Sequence, residues 1–275
     1  MKENKIQIVI LAAGQGKRMG NPDLPKVLVP LKGKPLIKYL LEAVEKSKVC
    51  DKPVIVVGKM AEKVKKELGS NYIYVEQAEQ LGTGDAVMTA HAAKGYFTFI
   101  SNPEKLGTGH DVKATESTLR DSAKDIMVLY GDHPLVSAEL VQNFAQTHLD
   151  SNSVLTMATV RPPDFEGWRS EFKSFGRILR DEAGKIIGMV EKKDANEQQL
   201  KIMELWPGYM CFKADWLWEN LEKLGTNNAQ GEYYLTDLVK IAVDQGHSIA
   251  SLETTDKEGL GVNTPEQLKT IETLL

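Results

Sequence analysis

Cysteine is scarce in this 275-residue chain: only Cys50 and Cys211 are present, far apart in sequence. That count excludes a disulfide framework and a paired-thiolate metal site, and it predicts two reduced thiols in or near a core. Long hydrophobic runs are also missing. No apolar stretch approaches the roughly 20 residues that span a bilayer. The short apolar run after Lys2 and Lys5 is briefer than a signal-peptide core and has no clear cleavage pattern, so a cytoplasmic chain with no membrane partner is expected. Excess positive charge is absent too: the net charge is −4, which argues against a nucleic-acid partner. Two common phosphate motifs are lacking. Leu11 stands five before Gly16 and Arg18 follows Lys17, which breaks a P-loop, and Met19 stands where a dinucleotide fingerprint needs its third glycine.

What is present is concentrated between Ile6 and Leu36. An apolar run (Ile8, Val9, Ile10, Leu11, Ala12, Ala13) breaks at Gly14-Gln15-Gly16-Lys17-Arg18-Met19-Gly20. The run reads as a buried strand. Glycines let the backbone turn sharply and leave N–H groups bare. With Lys17, Arg18 and Lys26 around it, such a loop makes a concave anion trap suited to a polyphosphate. The plain alternative is a glycine-rich turn with solvated lysines.

Strand and helix signals then alternate. Strands are expected at 53–57, 72–75, 126–130 and 154–160, and helices at 60–68, 84–93 and 137–148, the last with Ser137 as N-cap. This pattern predicts an α/β fold with a mostly parallel sheet, and ligands outside the carboxyl ends of its strands. Both the glycine loop and Asp132 fall at such ends. In the second half, 176–180 and 185–191 flank Asp181-Glu182-Ala183-Gly184 and read as a hairpin. A strand at 208–213 and helices at 214–224 and 235–245 follow; Trp216 and Trp218 in the first read as core. Residues 97–124 break the alternation and read as a polar, mobile surface insert within a single domain. Within it Glu104-Lys105-Leu106-Gly107-Thr108-Gly109-His110-Asp111-Val112 echoes Glu79-Gln80-Leu81-Gly82-Thr83-Gly84-Asp85-Ala86-Val87, 25 residues earlier. Duplication and chance are both open.

Several segments together resemble the uridyltransferase domain of bacterial N-acetylglucosamine-1-phosphate uridyltransferases, within the sugar-phosphate nucleotidyltransferase family. They are Leu11 to Met19, Leu24-Pro25-Lys26-Val27-Leu28, Gln77 to Gly84, Tyr130-Gly131-Asp132-His133-Pro134-Leu135, Phe175 to Ile178, Val190 to Ala195, Asn228 to Asp237, and Gly261-Val262-Asn263-Thr264. The resemblance implies a Rossmann-like, glycosyltransferase-A-like nucleotidyltransferase fold with an antiparallel hairpin added on the acceptor side. It implies attack of a sugar 1-phosphate on the α-phosphate of UTP. A phosphate monoester is already largely ionised near neutral pH, so such chemistry needs positioning and charge neutralisation rather than a general base. By the same resemblance Arg18 and Lys26 would be catalytic, and Asp132 and Asn263 would hold Mg²⁺. Leu11, Ala12, Ala13, Gly14, Gly16, Gln77, Gly82 and Thr83 would bind the nucleotide, and Tyr130, Gly176, Glu191, Trp206 and Thr236 would line the acceptor site. Plainer readings stand beside these: Asp132 as a helix cap, Asn263 as a turn former, Glu191 as a hairpin surface charge, Gln77 as an ordinary strand-end residue and His133 as structural.

The chain departs from that family in three places. Where the family has Asn-Thr-Gly, this sequence has Trp206-Pro207-Gly208, which removes an amide partner and predicts an altered acceptor preference. The left-handed β-helix domain is missing, so no acetyl transfer is expected and the oligomeric state stays open. The third departure is the 97–124 insert. Of the two Leu-Gly-Thr-Gly copies, Leu81 to Gly84 is expected to be the functional one, because it follows a strand and keeps Gln77. Two rivals remain: a nucleotidyltransferase with another nucleotide or acceptor, and a non-catalytic sugar-nucleotide-binding regulator.

Overall fold

The computed structural model describes residues 6–14, 16–58, 60–77, 98–100, 107–225 and 233–275. In chain order the elements begin with β1 (Ile6–Ala12), a small hairpin of β2 (Pro30–Leu31) and β3 (Lys34–Pro35), and α1 (Leu36–Ser47). β4 (Val54–Val57), α2 (Ala61–Leu68), β5 (Ile73–Gln77), β6 (Thr98–Ile100), α3 (Thr108–Lys113) and α4 (Glu116–Leu119) follow. Then come β7 (Asp125–Tyr130), α5 (Ala138–Ser151), β8 (Leu155–Val160), β9 (Gly176–Arg180), β10 (Ile186–Val190), β11 (Leu205–Trp206) and β12 (Met210–Lys213). The chain continues through α6 (Ala214–Leu221), α7 (Asp237–Asp244), β13 (Ala250–Thr254) and α8 (Pro265–Leu274).

One sheet runs β10-β9-β11-β8-β12-β7-β1-β4-β5-β6, with β13 parallel to β8. β1 is its centre, parallel to β4 and β7, with Leu11 opposite both Val56 and Tyr130. Strands covered on both faces read as unbroken apolar runs rather than alternating ones, which is why β1, β4 and β7 were legible. α1 and α5 pack together over one face, and α3, α6 and α7 cover the other. The architecture is α/β with a mostly parallel core, as the alternation predicted. β12, β11, β9 and β10 are antiparallel and extend the sheet beyond β7. Cys50 and Cys211 are both buried and free, and Trp216 and Trp218 are core residues. No described helix is long and apolar enough to cross a membrane.

One expectation is corrected. The described part of the supposed surface insert is structural. β6 pairs with β5, and Val112, Ala114, Thr115 and Leu119 of the α3–α4 segment are buried in the core. Its apolar positions are few and spread over two short helices, so the polar residues between them hide any period. The expected helix at 84–93 lies outside the described residues.

Candidate active site

Gly14 and Gly16 carry the chain away from β1. Gly16 has φ +60° and a Cβ there would stand 2.8 Å from Cβ of Lys26, so a glycine lets the lysine backbone come close. Lys26 opens a single 3-10 turn at Lys26–Leu28. Its ammonium donates to the Asp132 carboxylate and, at 2.9 Å, to Oδ1 of Asn263. Three residues from three separate parts of the chain therefore meet at one point. Asp132 follows β7 in the turn begun by Gly131, whose N–H donates to the Leu11 carbonyl at 2.9 Å. The helix-cap reading of Asp132 fails, because Ser137 caps α5 by accepting from the Leu140 N–H at 3.0 Å. Burial alone would push the Asp132 carboxyl up, but the Lys26 charge, with His133 and hydrogen bonds, outweighs it and holds the group below the usual carboxylate range.

Asn263 is held by a chain of contacts that the sequence reading missed. Thr264 caps α8, with Pro265 at its first turn, and accepts from the Gln267 N–H at 3.3 Å. Gln267 Oε1 accepts from the Asn263 N–H at 2.6 Å, and its amide N–H donates to Glu171 at 2.5 Å. The signal was available: Thr264-Pro265-Glu266-Gln267 is a capping-box pattern with proline at the first helical position.

Two cavities adjoin the glycine loop. One of about 590 Å³ is lined by Ala12, Ala13 and Gly14 with Pro22, Gly58 and Lys63. The other, of about 370 Å³, brings together Arg18, Tyr130, Gly176, Glu191, Trp206 and Asn263. Thr236 is buried and its hydroxyl bonds Glu191, so it reaches this cavity's wall through that carboxylate. Burial, followed by the charge of Asp194, raises Glu191 above its ordinary range. Leu11 sits in the sheet with its carbonyl committed to Gly131. Gln77 ends β5; its side chain, and all of Gly82 and Thr83, lie outside the described residues.

Trp206 stands opposite Gly176 across β11 and β9. Its indole N–H is turned onto the Tyr209 carbonyl at 3.4 Å, so its polar edge is spent within its own loop. Gly208, at φ +115°, lets the Tyr130 ring lie against the backbone; a Cβ there would be 2.9 Å from that ring. His133 is structural. The Tyr209 phenol donates to the Glu258 carbonyl at 2.6 Å, so His133 Nδ1, 2.7 Å away, must carry the hydrogen it shares with that oxygen. A Cβ at Gly261 would stand 2.4 Å from His133 Nε2, so the ring is tightly packed.

No described cluster of three or more His, Cys, Asp or Glu residues could hold a metal. The Asp132 carboxylate and Asn263 amide oxygen nonetheless converge on a cation, the Lys26 ammonium. A carboxylate with one amide oxygen is a hard donor pair that fits Mg²⁺, which keeps waters and takes phosphate oxygens for its remaining positions.

Comparison with known proteins agrees with this geometry. Residues 8–224 match the model of the MobA-like NTP transferase domain. The chain belongs to this family. It is 37% identical over 274 residues to the bifunctional protein GlmU of Enterococcus faecalis, covering 99% of this chain and 52% of that one. To the bifunctional protein GlmU of Desulfotalea psychrophila it is 34% identical, covering 97% of this chain and 69% of that one. The relationship is to the uridyltransferase domain, as the motifs indicated. The chain spans about half the length of the first curated relatives it matches. A solved UDP-glucose pyrophosphorylase in complex with UDP-glucose superposes with a TM-score of 0.71 at 16% identity, covering 98% of this chain and 97% of that one, which shows the shared fold. The matched domain is of the NTP-transferase type, which makes the chain a nucleotidyltransferase.

Proposed function

We propose that this nucleotidyltransferase moves UMP from UTP to a sugar 1-phosphate. An oxygen of the sugar phosphate forms a bond to the α-phosphorus, the bond from that phosphorus to the bridging oxygen breaks, and pyrophosphate leaves with the electron pair. The observation that carries this is the convergence of Lys26, Asp132 and Asn263 beside the glycine loop. The loop residues Ala12, Ala13, Gly14 and Gly16 would receive the nucleotide. Arg18 and Lys26 would neutralise charge that builds on the phosphates, acting where a preorganised cation counts most. Asp132 and Asn263 would hold Mg²⁺, which when bound supplies further neutralisation of phosphate oxygens. Lys26, beside that pair, would place its ammonium on the phosphate oxygens. The choice of UTP rests on the sequence run from Gln77 to Gly84.

Tyr130, Gly176, Glu191, Trp206 and Thr236 would form the acceptor side. The Trp206 ring, with its N–H already bonded, leaves that wall without the amide that the family sequence pattern carries. This favours an acceptor other than N-acetylglucosamine 1-phosphate. The test is pyrophosphate release with Mg²⁺ and UTP across a panel of sugar 1-phosphates, with Asp132→Ala as blank. Turnover with one sugar, lost in the blank, supports the reading. Binding of UTP with no release for any sugar would overturn it in favour of a regulator.

A further inference from the structure

The acceptor residues named from the sequence do not account for the whole of the 370 Å³ cavity. Glu171, Ser174 and Phe175 also line it, with Gln267 of α8. Glu171 and Ser174 belong to a 3-10 helix, Gly167–Ser174, to which the sequence reading gave no role. This helix is fixed along its length. Phe172 is fully buried, with its ring 5.0 Å from that of Phe175 and 6.2 Å from that of Trp168. A Cβ at Gly259 would stand 3.4 Å from the Phe172 ring, so the helix is packed closely on the turn before β-strand-free residues 260–263. Arg169 pairs with Asp256 at 2.7 Å. The buried Arg177 guanidinium donates to the Phe175 carbonyl and, at 3.0 Å, to the Lys173 carbonyl.

Glu171 is therefore held in place before any ligand arrives, and its two oxygens differ. Oε2 accepts from the Gln267 amide at 2.5 Å, and Gln267 Oε1 accepts in turn from the Asn263 N–H at 2.6 Å. No described residue donates to Oε1. No described lysine or arginine pairs with this carboxylate either, since the neighbouring Arg169 is spent on Asp256 and Asp164. Glu191 brings a second carboxylate to the same cavity, where Arg18 is the single lysine or arginine among the described lining residues. A half-enclosed carboxylate with an open oxygen is stabilised by a hydroxyl or ammonium donor. Two such groups facing one cavity repel a ligand that carries a carboxylate of its own.

We propose that Glu171 both reads the acceptor and positions Asn263. Its Oε1 takes a hydroxyl of the sugar, its charge turns away sugars that bear a carboxylate, and its Oε2 holds the Asn263 backbone through Gln267. The acceptor class is then a sugar 1-phosphate with no acidic group beyond its phosphate. This rests on the sugar 1-phosphate reading above.

The test is calorimetry on the full chain and on Glu171→Gln, Glu171→Leu and Gln267→Leu. Binding of UDP, UDP-glucose, UDP-N-acetylglucosamine and UDP-glucuronic acid is measured with Mg²⁺, and binding of UTP is measured across a Mg²⁺ series. UDP-glucose and UDP-glucuronic acid differ by one carboxylate. Glutamine at 171 keeps an oxygen for Gln267 but has no charge. Glu171→Gln should therefore bind the tighter of the two neutral UDP-sugars about tenfold more weakly and bind UDP within about twofold of the unaltered chain. Its preference for UDP-glucose over UDP-glucuronic acid should shrink, while the Mg²⁺ midpoint for UTP stays where it was. Gln267→Leu should do the reverse, raising the Mg²⁺ midpoint by about tenfold and keeping the preference between those sugars. Glu171→Leu should show both losses; if it does not fold, the glutamine variant carries the test alone. An unchanged sugar preference in Glu171→Gln, or equal weakening of every ligand in all variants, overturns the assignment. If neither neutral UDP-sugar binds the unaltered chain more tightly than UDP, the sugar 1-phosphate reading falls instead.

Discussion

At the scale of single residues, the site is a matter of charge held in place before any substrate arrives. Lys26 and Asp132 neutralise each other and Asn263 accepts from the same ammonium, so the site is preorganised without an unpaired buried charge. Asp132→Asn keeps the shape and removes the charge. Pyrophosphate release should fall by about 10²–10³, the usual cost of one preorganised electrostatic partner. Glu191 offers a different test. Its raised pKa means that its charged form is lost on acidification at a pH above the ordinary carboxylate range. Acceptor KM should therefore rise on that acid limb. Asp194→Asn removes a neighbouring negative charge, lowers the Glu191 value, and should move the limb to lower pH in a KM-against-pH series. Trp206→Asn restores an amide where the indole edge is self-bonded. KM for N-acetylglucosamine 1-phosphate should drop by about tenfold or more, since a site that regains a substrate hydrogen bond discriminates strongly. The KM for UTP should not move.

At the scale of elements, the turns and caps decide where these side chains stand. Ser137 was legible as a cap because the residue type and the following helical pattern agree, and the structure bears it out. The cap of α8 matters more for function, since Thr264 and Gln267 fix the backbone of Asn263. Thr264→Ala should cost about 1 kcal/mol in a urea melt. Gln267→Leu should also raise the Mg²⁺ concentration needed for half-maximal UTP binding, because Asn263 loses its tether. The α3–α4 segment shows the limit of reading elements from polarity. Its few apolar residues carry a helix into the core, while the many polar ones suggest a surface loop.

At the scale of the whole molecule, the parallel core and the antiparallel extension are joined by a buried polar network. The His148 Nε2–H donates to Asp125 at 3.1 Å, and its Nδ1 shares a hydrogen bond with the Thr156 hydroxyl at 2.8 Å. Lys213 completes the set with a 2.9 Å ion pair to Asp125. These residues come from α5, β7, β8 and β12. Burial opposes the charge on Asp125, but the bonds from His148 and Lys213 together hold its carboxyl below the usual range. A group depressed in the folded state stabilises above its unfolded value of about 4, and the contribution is lost as pH falls through the folded value. Stability measured by urea melts should decline more steeply below about pH 4 in the unaltered chain than in Asp125→Asn. Asp125→Ala should cost about 3 kcal/mol or more, because it strands buried partners.

The sequence by itself determined the α/β class, the glycine loop, the family and the identity of most candidate residues. These are carried by local pattern: apolar runs for doubly covered strands, glycines where the backbone must turn, and short motifs of fixed spacing. Asp132 and Asn263, 131 positions apart in the chain, were paired by the family resemblance alone and by no local pattern. Only the tertiary structure brought both to Lys26, bonded the Trp206 N–H to the Tyr209 carbonyl, and seated α3 against β1. Each of those is a question of which distant groups share a space, and a linear pattern carries no record of that. Packing settles it, because a close-fitted place accepts a single occupant.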